Sequence, residues 1–248
     1  MDMNRPETPD AHSDAAELST GGSDDQRKQP VDPRAAVAEL HAGNRRFAAG
    51  TPDRPHQDVG RRIALAEGQQ PFAVILGCSD SRVAVELVFD RGLGDLFVVR
   101  TAGHSVGPEV LGSVEYAVTA LGAPLVVVLG HDSCGAVQAA RSAEATGVPV
   151  SGHLRAVVEA VSPSVRRAEA AGVADLNQIV DHHVERTVAV LLDRSAAVAA
   201  AVATGTCAVV GMSYQLTTGA VRTVTEVGLA ASSAPPAGGA RAEPPAPA

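Results

Sequence analysis

Aromatic residues are nearly absent: the 248-residue chain has no Trp, two Tyr and four Phe. Surfaces that stack unpaired bases need aromatic platforms, so RNA and single-stranded DNA are poor partners for this chain. Basic charge is also short. Twenty Lys and Arg stand against 28 Asp and Glu, for a net charge of −8, which argues against nucleic-acid binding in general. Three cysteines are too few, and odd in number, for a disulfide framework in so long a chain. Free thiols in a reducing cytoplasm, available to a metal or to catalysis, fit better. Long apolar runs are missing too. Stretches such as 120–130 fall far short of a bilayer's thickness, so no membrane partner is expected. The N-terminus has no basic start followed by an apolar run, so no secretory signal is read and a cytoplasmic location is expected.

What is present is a core built without large rings. Apolar residues make up 45% of the chain, chiefly Val, Leu, Ile and Ala, which suits buried parallel strands covered by helices. Residues 1–31 carry seven acids against three bases and read as a disordered acidic tail. Residues 231–248 read as a disordered Ala/Pro-rich tail, leaving one folded domain over 32–230. A first helix should begin at Asp32-Pro33, with Asp32 as cap and Pro33 in the first turn. Residues 51–70 read as a loop with a short helix. Apolar runs at 72–77, 95–99, 124–130 and 207–212 read as strands, and helical stretches are expected at 107–121, 134–146, 153–171 and 175–203. Alternation of this kind predicts an α/β fold: a mostly parallel four-stranded sheet flanked by helices, with 219–226 added as an antiparallel edge strand.

In open sheets of this type ligands bind beyond the carboxyl ends of the strands. The first strand runs directly into Cys78-Ser-Asp-Ser-Arg82, and the third into His131-Asp-Ser-Cys134-Gly135. If those strands are neighbours, Cys78, His131 and Cys134 converge. Taken singly, each is more often a structural residue. Taken together, two thiolates and an imidazole form a set that zinc favours, with a fourth position left open for reaction. Asp80 and Arg82 can form a charge-assisted pair beside it. Asp80 could then fill the open position or orient a water there, with Arg82 deciding which. Val83 and Val85 are candidate apolar walls near the pair. Cys207 lies inside a strand and reads as core.

At these residues the chain resembles the β-class carbonic anhydrases, closely those of actinobacteria. The stretches that carry the resemblance are Cys78-Ser-Asp-Ser-Arg82, Arg100-Thr-Ala-Gly103, Gly112-Ser-Val-Glu-Tyr-Ala117 and Gly130-His-Asp-Ser-Cys-Gly-Ala136. Leu40-His-Ala-Gly-Asn-Arg-Arg-Phe47 and Val210-Gly-Met-Ser-Tyr-Gln-Leu-Thr-Thr-Gly219 extend it to about 33–227. The resemblance implies one Zn2+ per subunit on Cys78, His131 and Cys134, with Asp80 and Arg82 as catalytic dyad. It implies Gln69 and Gly135 as substrate-binding residues. It also implies reversible hydration of CO2 to bicarbonate by attack of zinc-bound hydroxide, and a homodimer or homotetramer in which the first helix reaches a partner. The chain departs from the family's frequent Asn at Thr101 or His104, and no proton-shuttle role is assigned to His104. Without Trp, the bicarbonate regulatory pocket that some members build around that residue cannot form in that way. Two alternatives stay open: a CS2 or COS hydrolase on the same scaffold, and a non-catalytic zinc module that senses bicarbonate or redox state.

Overall fold

The computed structural model describes residues 32–229, so both expected tails lie outside the described residues. The first helix, α1 (Pro33–Ala48), starts as expected: the Asp32 carboxylate accepts from the amides of Arg34 and Ala35. After the short α2 (Val59–Ala64) and one 3-10 turn, the chain enters β1 (Ala73–Cys78). There follow α3 (Val85–Val88), β2 (Leu96–Thr101), α4 (Pro108–Thr119) and β3 (Leu125–His131). The remainder is α5 (Gly135–Thr146), α6 (Leu154–Ala170), α7 (Leu176–Arg194), α8 (Ala196–Ala203), β4 (Ala208–Tyr214) and β5 (Val221–Val227).

The strands form one sheet in the order β2-β1-β3-β4-β5, parallel except for antiparallel β5 at the edge. Alternate residues of β1 face opposite layers. Ala73 and Ile75 pack with Ala36 and Leu40 of α1 and with Val85 and Val88 of α3. Val74 and Leu76 pack with Val110 and Val114 of α4 and Val184 and Val188 of α7. A third cluster joins α5, α6 and α7 around Val137, Val161, Val165 and Val180, and includes Cys78 and Cys134. Val83 and Val85, candidate apolar walls near the Asp80–Arg82 pair, are fully buried and pack in the cluster with α1.

Several boundaries differ from the expected ones, three of them instructive. The helix expected over 175–203 is broken at Ser195, which sits at φ −112, ψ 99. Its hydroxyl donates to Glu115 of α4 at 2.6 Å and accepts from the Val198 amide at 3.1 Å, so a tertiary contact starts α8 as a separate helix. The strands expected to end at Gly77 and Gly130 each run one residue further, so Cys78 and His131 are themselves the last residues of β1 and β3.

Helix α7 lies close on the sheet because the strands beneath it carry glycine. A Cβ at Gly211 of β4 would stand 2.6 Å from Val184 Cγ1 and 2.8 Å from Thr225 Cγ2. Gly211→Ala is therefore expected to lower unfolding stability by about 1–3 kcal/mol through overpacking. Urea denaturation measures it, and an unchanged midpoint and slope would contradict this packing.

Candidate metal centre

Strands β1 and β3 pair in parallel, with Gly77 opposite Leu129. That register brings Cys78 level with Gly130, so His131, one residue further on, shares the carboxyl edge of the sheet with it. Beyond β3 the chain turns through Asp132 and Ser133 into α5, with Cys134 as its N-cap. The turn is pinned on both sides. Asp132 Oδ1 accepts from the Leu216 amide at 2.9 Å, and the Ser133 amide donates to Asn177 Oδ1 of α7 at 3.0 Å. The outcome is that the sulfurs of Cys78 and Cys134 and a ring nitrogen of His131 lie within 4.8 Å of one another, all buried.

The donor atoms are prepared for a cation. His131 Nδ1 donates to the Asp132 carbonyl at 2.9 Å, which fixes the tautomer. Its buried Nε2 has no hydrogen-bond partner, leaving a lone pair free at the cluster. The Cys134 thiol beside it holds Cys78 well below the ordinary thiol range. His131 and the amides of Asp80 and Gly103 help, against the opposing effect of burial. The same pairing and burial push Cys134 up, partly offset by the amides of Ala136 and Val137 at the start of α5. Alone, such a pair keeps one proton between two sulfurs. A divalent cation removes that conflict, because both sulfurs then ligate as thiolates. Two thiolates and a neutral imidazole are a donor set that suits zinc.

The 79–82 loop holds the neighbouring carboxylate. Asp80 Oδ1 accepts from Arg82 N and Nε, both at 2.9 Å, and Oδ2 accepts from Nη2 at 2.7 Å. This fork binds the carboxylate from outside and holds its pKa well below the usual carboxylate range. Oδ2 lies 3.9 Å from His131 Nε2, at the rim of the cluster. Asp80 is thus close enough to orient a molecule there, while both oxygens are committed to Arg82. It stands beside the group of three donors that Cys78, His131 and Cys134 form. Arg100 of β2, unassigned from sequence, fastens the loop: Nε donates to the Cys78 carbonyl at 2.9 Å and Nη2 to the Asp80 carbonyl at 2.6 Å.

Other expected residues fall differently. Gly135 is the exposed first residue of α5, and a Cβ there would meet nothing within 4 Å. Gln69 is exposed in the loop before β1. Roughly 17 Å of strand separates that end of β1 from Cys78, so Gln69 does not join the site of its own chain. Cys207 is buried and its thiol is pushed up to about 11 by that burial, in keeping with a core role.

A family model described as carbonic anhydrase matches residues 73–221. Carbonic anhydrase 2 of Mycobacterium tuberculosis is 53% identical over 189 residues, covering 76% of this chain and 91% of that protein. A carbonic anhydrase of Mycolicibacterium smegmatis is 51% identical over 196 residues, covering 79% and 95%. The chain belongs to the carbonic anhydrase family, in its β class and of the actinobacterial type. Among solved structures, the β-carbonic anhydrase CafA of Aspergillus fumigatus superposes with a TM-score of 0.60 at 25% identity, covering 77% of this chain and 89% of that one. A tetrameric β-carbonic anhydrase of Sordaria macrospora shares the fold, with a TM-score of 0.59 at 24% identity over 77% and 95% of the two chains.

Two further histidines of this carbonic anhydrase sit behind the cluster. His104 is 0% exposed, and neither of its nitrogens has a partner. Burial, with His183 and His131 nearby, pushes it far down, so it is a neutral, buried ring. Burial also pushes His183 down to about 4 from an ordinary 6.5. The unfolded chain therefore gains a proton at this residue below about pH 6.5, while the folded chain does not until about 4. Stability should fall as pH drops through that window and lose nothing more from this group below it. His183→Gln is expected to flatten that part of the curve in urea midpoints measured against pH. Parallel curves for the two proteins would contradict it.

Proposed function

We propose that this carbonic anhydrase hydrates CO2 reversibly to bicarbonate and a proton, using one zinc ion held by Cys78, His131 and Cys134. The observation that carries this reading is the unpartnered His131 Nε2 between two buried sulfurs, one of them readily ionised. Bound zinc supplies Lewis acidity that makes water a nucleophile near neutral pH. Two thiolates offset the dication's charge, so acidification is weaker than with three imidazoles, and the protein's own groups must contribute more.

Asp80 is the group placed to do so. Its pKa is too low for it to serve as an effective base at neutral pH. Its role is to accept a hydrogen bond at Oδ2 and aim the reacting water's lone pair at CO2. Arg82 keeps the carboxylate ionised and off the metal. Gly135 follows Cys134 at the amide end of α5, where an added Cβ would meet nothing within 4 Å, and its amide is the donor we assign to the substrate's oxygen. No observation favours CS2 or COS as substrate, and assays on both gases beside CO2 separate these activities.

The exposed apolar surface supports self-assembly. Leu87 is 58% exposed and Leu93 46%, beside edge strand β2, and Val59 and Ile63 of α2 are exposed as well. A cavity of about 450 Å³ opens there, lined by Leu87, Leu93 and Leu96. Such a patch next to an open strand edge suits a second copy of the chain. Gln69, remote from its own site, would then orient substrate in the partner's.

Cys134→Ala is expected to lose zinc and activity together. Asp80→Asn is expected to keep full zinc and lose about 10²-fold in turnover. Metal analysis and stopped-flow CO2 hydration distinguish them, and full zinc in the first or none in the second would refute the roles given. A mixture of Gln69→Ala and Cys134→Ala chains, refolded together, should regain activity above either alone, because the mixed dimer holds one complete site. Activity equal to the average of the separate proteins would contradict the shared site.

A further inference from the structure

His183 of α7 lies outside the donor cluster, yet an unbroken run of hydrogen bonds joins it to a ligand sulfur. Its Nε2 is 2.8 Å from the Gly103 carbonyl oxygen, and its Nδ1 is 2.8 Å from Ser164 Oγ of α6. A carbonyl oxygen only accepts, so Nε2 carries the proton. In the neutral ring Nδ1 then accepts from the Ser164 hydroxyl. On its other side, the Gly103 amide donates to Cys78 Sγ over 3.4 Å. Gly103 is thus held at both of its backbone groups, by His183 at the carbonyl and by the Cys78 sulfur at the amide.

The geometry allows little else at these positions. Gly103 sits in the left-handed region at φ 62, ψ 29, between Thr101 at the end of β2 and His104. A Cβ there would stand 2.8 Å from Ala136 Cβ, on the residue next but one to Cys134. The His104 ring packs on His183 with centroids 4.4 Å apart and planes 31° apart, which holds the plane of the His183 imidazole. His183 and Ser164 are both almost wholly buried. A buried polar chain of this kind is costly unless every member is satisfied, and this one is satisfied as far as a metal-binding sulfur. An apolar side chain could fill the His183 site, but it could not hold the Gly103 carbonyl.

We propose that His183, locked by Ser164, is a positioning residue for the metal centre: it fixes Gly103 so that its amide stays on the Cys78 sulfur and sets how much charge that sulfur lends the metal. The proposal rests on the reading of Cys78, His131 and Cys134 as metal ligands. It assigns these residues to the group of outer partners whose loss weakens metal sites about 10–100-fold.

Cobalt(II) loaded in place of zinc reports the sulfur bonds directly, through sulfur-to-cobalt charge-transfer absorption. Wild type, His183→Leu, His183→Gln and Ser164→Ala are compared for that absorption, for metal affinity by chelator competition, and for thermal unfolding as a check on folding. His183→Leu is expected to bind metal about tenfold more weakly and to shift the band. His183→Gln keeps a donor for the Gly103 carbonyl and should restore most of both. Ser164→Ala should shift both in the same direction as His183→Leu, by less. Folded Leu and Ala variants with wild-type affinity and band would overturn the proposal. If His183→Leu does not fold, Ser164→Ala decides, and a wild-type band in that variant overturns it equally. A wild type that shows no sulfur-to-cobalt band would overturn the metal-centre reading itself, and is told apart by failing before any variant is compared.

Discussion

The site depends on the parallel pairing of β1 with β3. Neither strand carries a complete donor set, and the residues involved are more than fifty positions apart in sequence. In-register hydrogen bonding from Val74–Val126 to Gly77–Leu129 brings both carboxyl ends to one edge of the sheet, with Cys78 and His131, the last residue of each strand, offset by one residue there. A one-residue slip would turn the Cys78 side chain toward the opposite layer, since side chains alternate along a strand. Every residue of both strands is buried, with side chains packed into layers on both faces, which makes that register costly to leave.

Around that edge the protein spends its polar groups on position. Arg100 ties the backbone on both sides of Ser79, Arg82 holds the Asp80 carboxylate, and Asn177 and the Leu216 amide hold the turn before Cys134. Each of these partners comes from a different element, so the donor cluster is anchored to most of the fold. Two sulfurs and one imidazole, buried and close together, are electrostatically uncomfortable without positive charge. The start of α5 and the amides near Cys78 relieve part of this, and a dication completes it. Arg82 takes up both oxygens of Asp80, which holds the carboxylate at the rim of the donor cluster.

Cys78, His131 and Cys134 were legible in the sequence because each directly or closely follows an apolar run, and because two of them share a tight turn. The Asp80–Arg82 pair was legible because it is local. The residues that went unread act over long separations. Arg100 is 22 positions from Cys78, and His183 is 80 from Gly103, so no spacing rule reports either contact. The break at Ser195 was missed for the same reason: helix propensity runs through Ala196–Ala203 without a breaker, and the interruption comes from Glu115 on another helix. Gln69 was found by resemblance alone, and one chain's backbone places it at the far end of β1. Residues 32–229 reproduce the expected sheet with its antiparallel edge, since alternation of buried strands and amphipathic helices specifies that architecture strongly.

X-ray absorption at the zinc edge, recorded on the purified protein near neutral pH, tests the central claim most directly. The account predicts one zinc per chain with two sulfur neighbours at about 2.3 Å, one imidazole nitrogen at about 2.0–2.1 Å and one light ligand exchangeable with added anions. A shell with a single sulfur, or a fourth ligand that no anion displaces and that vanishes in Asp80→Asn, would contradict it.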